Sequence, residues 1–199
     1  MFRPTALTLW IPLGLAGATG AAYLSSGLLS GPNPGFHVPA AAADLGAVPV
    51  FHLKDSAGRA VSNRDFLGEP WAAAFIFTRC RTLCPMMAER MKALRKLAPR
   101  LRLVSLSVDP ADSPEVLSRY RRDRGLDWTF LTGGPGNVAD LSVRGFHLGA
   151  RVPAGASAAI LHSDKLVLVD AKGHIRGYFD GSDPASVAEL ARQAASLRK

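Results

Sequence analysis

The chain has 199 residues, 48% of them apolar and 20% charged, and its 24 Lys and Arg against 16 Asp and Glu give a formal net charge of +8. That composition excludes a disordered polyelectrolyte and a polytopic membrane protein, and leaves one globular domain with something extra. Two cysteines exclude both a disulfide framework and a four-thiolate zinc site.

From Pro4 to Ala43 there is no Asp, Glu, Lys or Arg, and Arg3 is the one charged side chain before it. Ala6–Leu24 is apolar enough to enter a bilayer, and as a helix it spans about 28 Å, close to a hydrocarbon core roughly 30 Å thick. Two readings stand. One is a retained membrane anchor; the other is a cleaved secretory signal, with Arg3 as its positive region and the small residues of Ala21–Gly27 around its cleavage site. Either sends the rest of the chain across a membrane, to the extracytoplasmic (periplasmic) side. No cysteine stands directly after the apolar run, which excludes a bacterial lipoprotein anchor. Ser30–Ala43 is Pro, Gly and Ala without periodicity and reads as a linker. The predicted layout is a membrane anchor or signal segment over 1–29, a linker over 30–43 and a folded domain over 44–199.

Val48–Leu53 reads as a strand before the turn signal Asp55-Ser-Ala-Gly58. Trp71–Phe77 is continuously apolar, as a central strand covered on both faces requires. After Pro85 the period becomes helical, with Met87, Met91, Leu94 and Ala98 on one face, until Pro99. Leu101–Val108 is a further strand. Asp112-Ser-Pro-Glu starts a helix with a capping side chain and Pro114 in its first turn. Val116, Leu117 and Tyr120 form its apolar side, and Gly125 ends it. Trp128–Leu131 reads as a strand and Val138–His147 as a helix. Leu166–Asp170 and Ile175–Phe179 make an antiparallel hairpin. A last helix starts at Asp183-Pro184, with Val187, Leu190, Ala194 and Leu197 inward. The expected fold class is α/β: a thioredoxin-like fold with a central mixed sheet flanked by helices.

Both cysteines fall in Phe77-Thr-Arg-Cys80-Arg-Thr-Leu-Cys84-Pro85, between a buried strand and an amphipathic helix. A helix N-terminus carries unpaired N–H groups and partial positive charge, which favour thiolate over thiol. Arg79 and Arg81 are expected to add to that field. Two thiolates suit a soft ion, Cu(I) above all, and a Cu(II)/Cu(I) pair wants imidazole as well. His37, His52, His147 and His174 read as solvated or structural. His162 differs, because the segment entering the late hairpin lies against the active-site turn in a thioredoxin-like fold.

Phe-Thr-x-Cys80-x-x-x-Cys84-Pro85, then Ser107-Val-Asp109-Pro110 with Asp112-Ser-Pro114-Glu, then His162-Ser163 before Leu168-Val-Asp170-x-x-Gly173, resembles the SCO/SenC family. The resemblance runs from about Val48 to the last helix. It implies a membrane-anchored copper protein that helps load the binuclear copper site of cytochrome c oxidase subunit II, with a copper donor protein as its other partner. By the same resemblance Cys80, Cys84 and His162 are the metal ligands, and Asp109 lies near the site and influences docking. Family members often carry Pro and Asp after the first cysteine, where this chain has Arg81 and Thr82, and the Asp109–Ser113 loop is one residue short. A positive charge there disfavours a metal cation and favours bare thiolates. The alternative function is therefore a membrane-tethered thiol–disulfide oxidoreductase using Cys80 and Cys84 as its catalytic pair.

The basic runs Arg90, Lys92, Arg95, Lys96 and Arg119, Arg121, Arg122, Arg124 read as solvated helix faces, with anionic lipid as the other reading. Nucleic acid is not an expected partner, since aromatic interleaving is missing.

Overall fold

The computed structural model describes residues 44–148 and 163–198, with its elements in the predicted order. The anchor and linker of the predicted layout, and His37 and His162, lie outside the described residues. A hairpin of β1 (His52–Asp55) and β2 (Ala60–Ser62) is followed by a short 3-10 turn, Asn63–Phe66. Then come β3 (Trp71–Ile76), α1 (Leu83–Leu97), β4 (Arg102–Ser107), α2 (Pro114–Asp123) and β5 (Thr129–Thr132). A short α3 (Asn137–Asp140) widens into one π-type turn, Leu141–Gly145, and the chain closes with β6 (Lys165–Val169), β7 (Ile175–Asp180) and α4 (Pro184–Ser196).

The sheet order is β2-β1-β5-β4-β3-β6-β7. The central β3, β4 and β5 are parallel and the outer pairings antiparallel, so α1 and α2 are crossovers between neighbouring strands. All six residues of β3 are buried. Its even side, Ala72, Ala74 and Ile76, meets Met87, Met91 and Leu94 of α1, Leu117 of α2 and Val187 and Leu190 of α4. Its odd side, Trp71, Ala73 and Phe75, meets Val104, Leu141 and Phe146. Alanines at the middle of the strand let the helical layer come close, and the aromatic weight falls on the other face, where Phe146 sits edge-on to Phe75 at 5.1 Å.

Several local expectations change. The first strand lies later than Val48–Leu53, because Asp55 completes it. Asp55 Oδ1 accepts the N–H groups of Ala57 and Arg59 (2.8 and 3.0 Å) and Oδ2 meets Arg59 Nε at 2.7 Å, so the carboxylate closes its own turn. Asp170 repeats the device at the β6–β7 turn with Lys172, His174 and Arg176. In α2 the cap is Ser113, whose Oγ accepts the Val116 N–H at 3.3 Å, and Val116 itself is exposed. The helix expected over Val138–His147 breaks into its π-type turn where the Phe146 N–H reaches back to the Leu141 carbonyl. Gly145 permits this, since a Cβ there would stand 2.7 Å from the ring of Pro49.

Candidate metal centre

The strands β3, β4 and β5 step one way across the sheet, and the chain then returns to place β6 on the other side of β3. The carboxyl end of β3 is thus a topological switch point, where successive connections diverge and leave a crevice. Cys80 and Cys84 occupy it. The Cys80 N–H closes a turn on the Phe77 carbonyl (3.2 Å), and α1 starts at Leu83, two residues before Pro85. Thr82, just ahead of α1, makes no capping hydrogen bond. Instead the Cys84 N–H donates to Cys80 Sγ at 3.3 Å, so the first sulfur takes an orphan donor of the helix that carries the second.

Both thiols are buried, and they are unequal. Burial works to raise Cys80, but the N–H groups of Cys84 and Thr82 outweigh it and hold this thiol below its ordinary range. Cys84 is pushed up to about 12, chiefly by burial and further by nearby Cys80 and Asp112, against one hydrogen bond from the Phe77 backbone. The expectation that the helix start favours both thiolates therefore holds for Cys80 alone; Cys84 lies too deep, lined by Met87 and Tyr120. At neutral pH Cys80 is expected to take the first alkyl group from limiting iodoacetamide, read by peptide mass mapping of the reduced protein. Equal labelling of the two would contradict the inequality.

Arg79 does not turn its charge on the sulfurs as expected. Its Nε and guanidinium contact Asp109 Oδ2 at 2.9 and 2.8 Å, while Asp109 Oδ1 accepts the Ala111 N–H. Asp109 is buried, so the exposed partner of this pair is the arginine. Arg81 is exposed beside Cys80.

Asp112, expected only as a cap, is the residue that sequence reasoning missed. Its carboxylate accepts the Thr78 N–H (2.8 Å), the Thr78 hydroxyl (2.5 Å) and the Ser107 hydroxyl (2.5 Å). It ties the loop before Cys80 to the end of β4. The Ser-Pro that follows masked it, because Asp and Ser are equally good caps.

His52 is exposed on β1, and His147 stands at φ 52 after the π-type turn. His174 Nδ1 contacts Asp44 at 2.8 Å, a structural pairing at the start of the described domain. Among the described residues no group of three His, Cys, Asp or Glu side chains gathers around one point. The residues flanking the undescribed His162 are informative. The pairing of Ala74 with Leu166 brings the start of β6 to the carboxyl end of β3. There the Asp164 carbonyl accepts the Gly181 N–H at 2.7 Å, and Gly181 packs on Met87 of α1. No helix among the described residues is long and apolar enough to cross a membrane.

A mixed sheet with two cysteines at the start of the helix that follows its central parallel strand defines a thioredoxin-like dithiol protein. The SCO1/SenC family model matches residues 40–197, and the chain belongs to that family. It is 31% identical over 143 residues to the SCO1 protein homolog of Bacillus subtilis (strain 168), covering 67% of this chain and 74% of the relative. A SCO1/SenC family lipoprotein from Bacillus anthracis superposes with a TM-score of 0.68 at 27% identity, over 77% of this chain and 95% of that one. BsSco, a member of the Sco family of cytochrome c oxidase assembly proteins with an identified disulfide switch, gives 0.64 at 28%, over 78% and 98%. The same fold occurs with copper bound in Bradyrhizobium japonicum ScoI (TM-score 0.59, 23% identity, 76% and 99% covered).

Proposed function

We propose that the protein binds copper as cargo through Cys80, Cys84 and His162, and passes it to the binuclear copper site of cytochrome c oxidase subunit II after receiving it from a copper donor protein. The observation that carries this reading is the pair of buried sulfurs held together at one helix start, a soft donor set that suits Cu(I) and is available only while both thiols are reduced. Residues 163 and 164, which lead from His162 into β6, support the third ligand because they arrive beside α1. On this reading residues 1–29 hold the protein at the membrane, 30–43 give it reach, and the domain from 44 works on the extracytoplasmic side.

The inequality of the thiols favours a second reading, a thiol–disulfide oxidoreductase. Cys80 as thiolate would attack a disulfide of the partner, and Cys84 would then displace the mixed bond. Two electrons pass to the substrate with the Cys84 proton and one proton from solvent, leaving two substrate thiols and a Cys80–Cys84 disulfide.

One substitution separates the two. His162→Ala is expected to weaken Cu(II) binding strongly and Cu(I) binding less, because soft Cu(I) tolerates two sulfur donors while Cu(II) prefers a nitrogen-containing site. The Cys80–Cys84 redox couple should barely move. Anaerobic copper titration of the variant, with circular dichroism to check its fold, reads the result. Unchanged copper affinity would remove His162 as a ligand and favour the oxidoreductase.

A further inference from the structure

At the opposite end of the parallel strands from the thiols lies an open groove of about 330 Å3, lined by Arg59, Arg95, Arg100, Arg102 and Arg121. Part of this charge is compensated. Asp55 takes Arg59, Asp127 stands 3.5 Å from Arg95, and Glu69 stands 3.6 Å from Arg102. The rest is not. Arg121 donates to the Leu126 carbonyl and the Ser56 hydroxyl, both at 3.3 Å, and neutral acceptors leave a guanidinium its full charge. Beyond the lining, in the last turn of α2, Arg122 donates to the Ser118 hydroxyl (2.9 Å), and Arg198 donates to the Arg100 carbonyl (2.8 Å), while the Arg100 side chain is exposed. Two of the large exposed apolar side chains, Leu67 and Leu97, belong to this same end.

The start of the described domain is here as well. Asp44 and Ala47 hold His174 in the β6–β7 turn, and β6 pairs Val169 with Trp71, the first residue of β3. The six residues of β3 then carry the chain roughly 20 Å to the thiol end.

We infer that this arginine-lined end rests on an anionic lipid surface, its guanidinium groups on headgroup phosphates and the cysteine pair turned away from the membrane. Phosphate matches the planar fork of arginine, and exposed leucines among cations suit the headgroup boundary. A lipid surface is favoured over a free anion because the chain leading from the apolar stretch joins the domain at this end. The inference rests on reading that stretch as a membrane anchor, and the test keeps the two apart.

The full chain is reconstituted into vesicles of phosphatidylcholine alone and of phosphatidylcholine with phosphatidylglycerol in equal parts, and backbone amide exchange is followed by mass spectrometry. Residues 56–59, 98–101 and 121–125 are expected to exchange about fivefold more slowly in the anionic vesicles, and residues 77–84 equally in both. Salt at about 1 M, where the Debye length is about 3 Å, should remove the difference. Equal rates, or slowing confined to the thiol end, overturn the inference, while flotation with neutral vesicles still upholds the anchor. Flotation with anionic vesicles alone supports the arginine surface and overturns the anchor; flotation with neither overturns both. Inorganic phosphate added to neutral vesicles gives a third arm: the same slowing there would make the groove a free-anion site and overturn the lipid surface. Arg100→Glu with Arg122→Glu, both exposed, should abolish the slowing without changing the far-ultraviolet spectrum. Slowing that survives in the folded double variant would also overturn the inference.

Discussion

Cys80→Ser in the full chain is expected to lower Cu(I) affinity by more than about 100-fold, a loss that even an outer-shell substitution can reach at a metal site. Serine preserves nearly the same volume but offers a hard, protonated oxygen where the soft ion requires a thiolate. The fold should survive, since the sulfur's structural contacts are local, with the Cys84 N–H at 3.3 Å and with Thr82, and a serine oxygen can accept the same N–H groups. Anaerobic competition against a chromophoric Cu(I) chelator measures the change. Retained affinity would show that Cys80 is not a copper ligand, whatever the fate of His162.

Asp112→Ala should destabilise the domain by about 3 kcal/mol, since it strips the acceptor from the Thr78 N–H and from two hydroxyls in a buried place. For a protein of this size that lowers the melting temperature by roughly 6–12 °C. The same loss frees the loop that positions Cys80, so alkylation should spread from Cys80 to Cys84 in the folded variant. Thermal melting and peptide mapping read the two effects. A melting temperature within about 2 °C of the parent would mean that the hydroxyls and the N–H find other partners.

The order of strands and helices was legible because each element is bounded by strong local signals. Trp71–Ile76 is unbroken apolar sequence, Pro114 and Pro184 open helices, and Gly125 takes a left-handed φ of 60° after α2. The placing of Cys80 and Cys84 at a strand-to-helix junction followed from the same signals. What escaped was set by tertiary contact. Asp55 reads as a strand breaker until its carboxylate is seen to satisfy Ala57 and Arg59. Arg79 reads as a cation for the thiolate until Asp109, thirty residues later, is found to hold it. The two cysteines look alike in sequence, yet one sulfur accepts N–H groups near the surface and the other is sunk among Met87 and Tyr120. Spacing carries no depth, so it could not separate them.

Gly181 adds a constraint of another kind. A methyl group there would lie 2.5 Å from Met87 Sδ and 2.8 Å from the Asp164 carbonyl. The thioether can swing aside; the carbonyl cannot, because it accepts the Gly181 N–H at the same time. Positions 87, 164 and 181 therefore form one steric unit assembled from three distant stretches of chain. A lineage that trims the methionine gains room on one side only, and the backbone of residue 164 must shift before anything larger than hydrogen is accepted at 181. A side chain at 181 therefore requires a displacement of the segment that leads from His162 into β6, so a change at one of these three positions is felt at the other two.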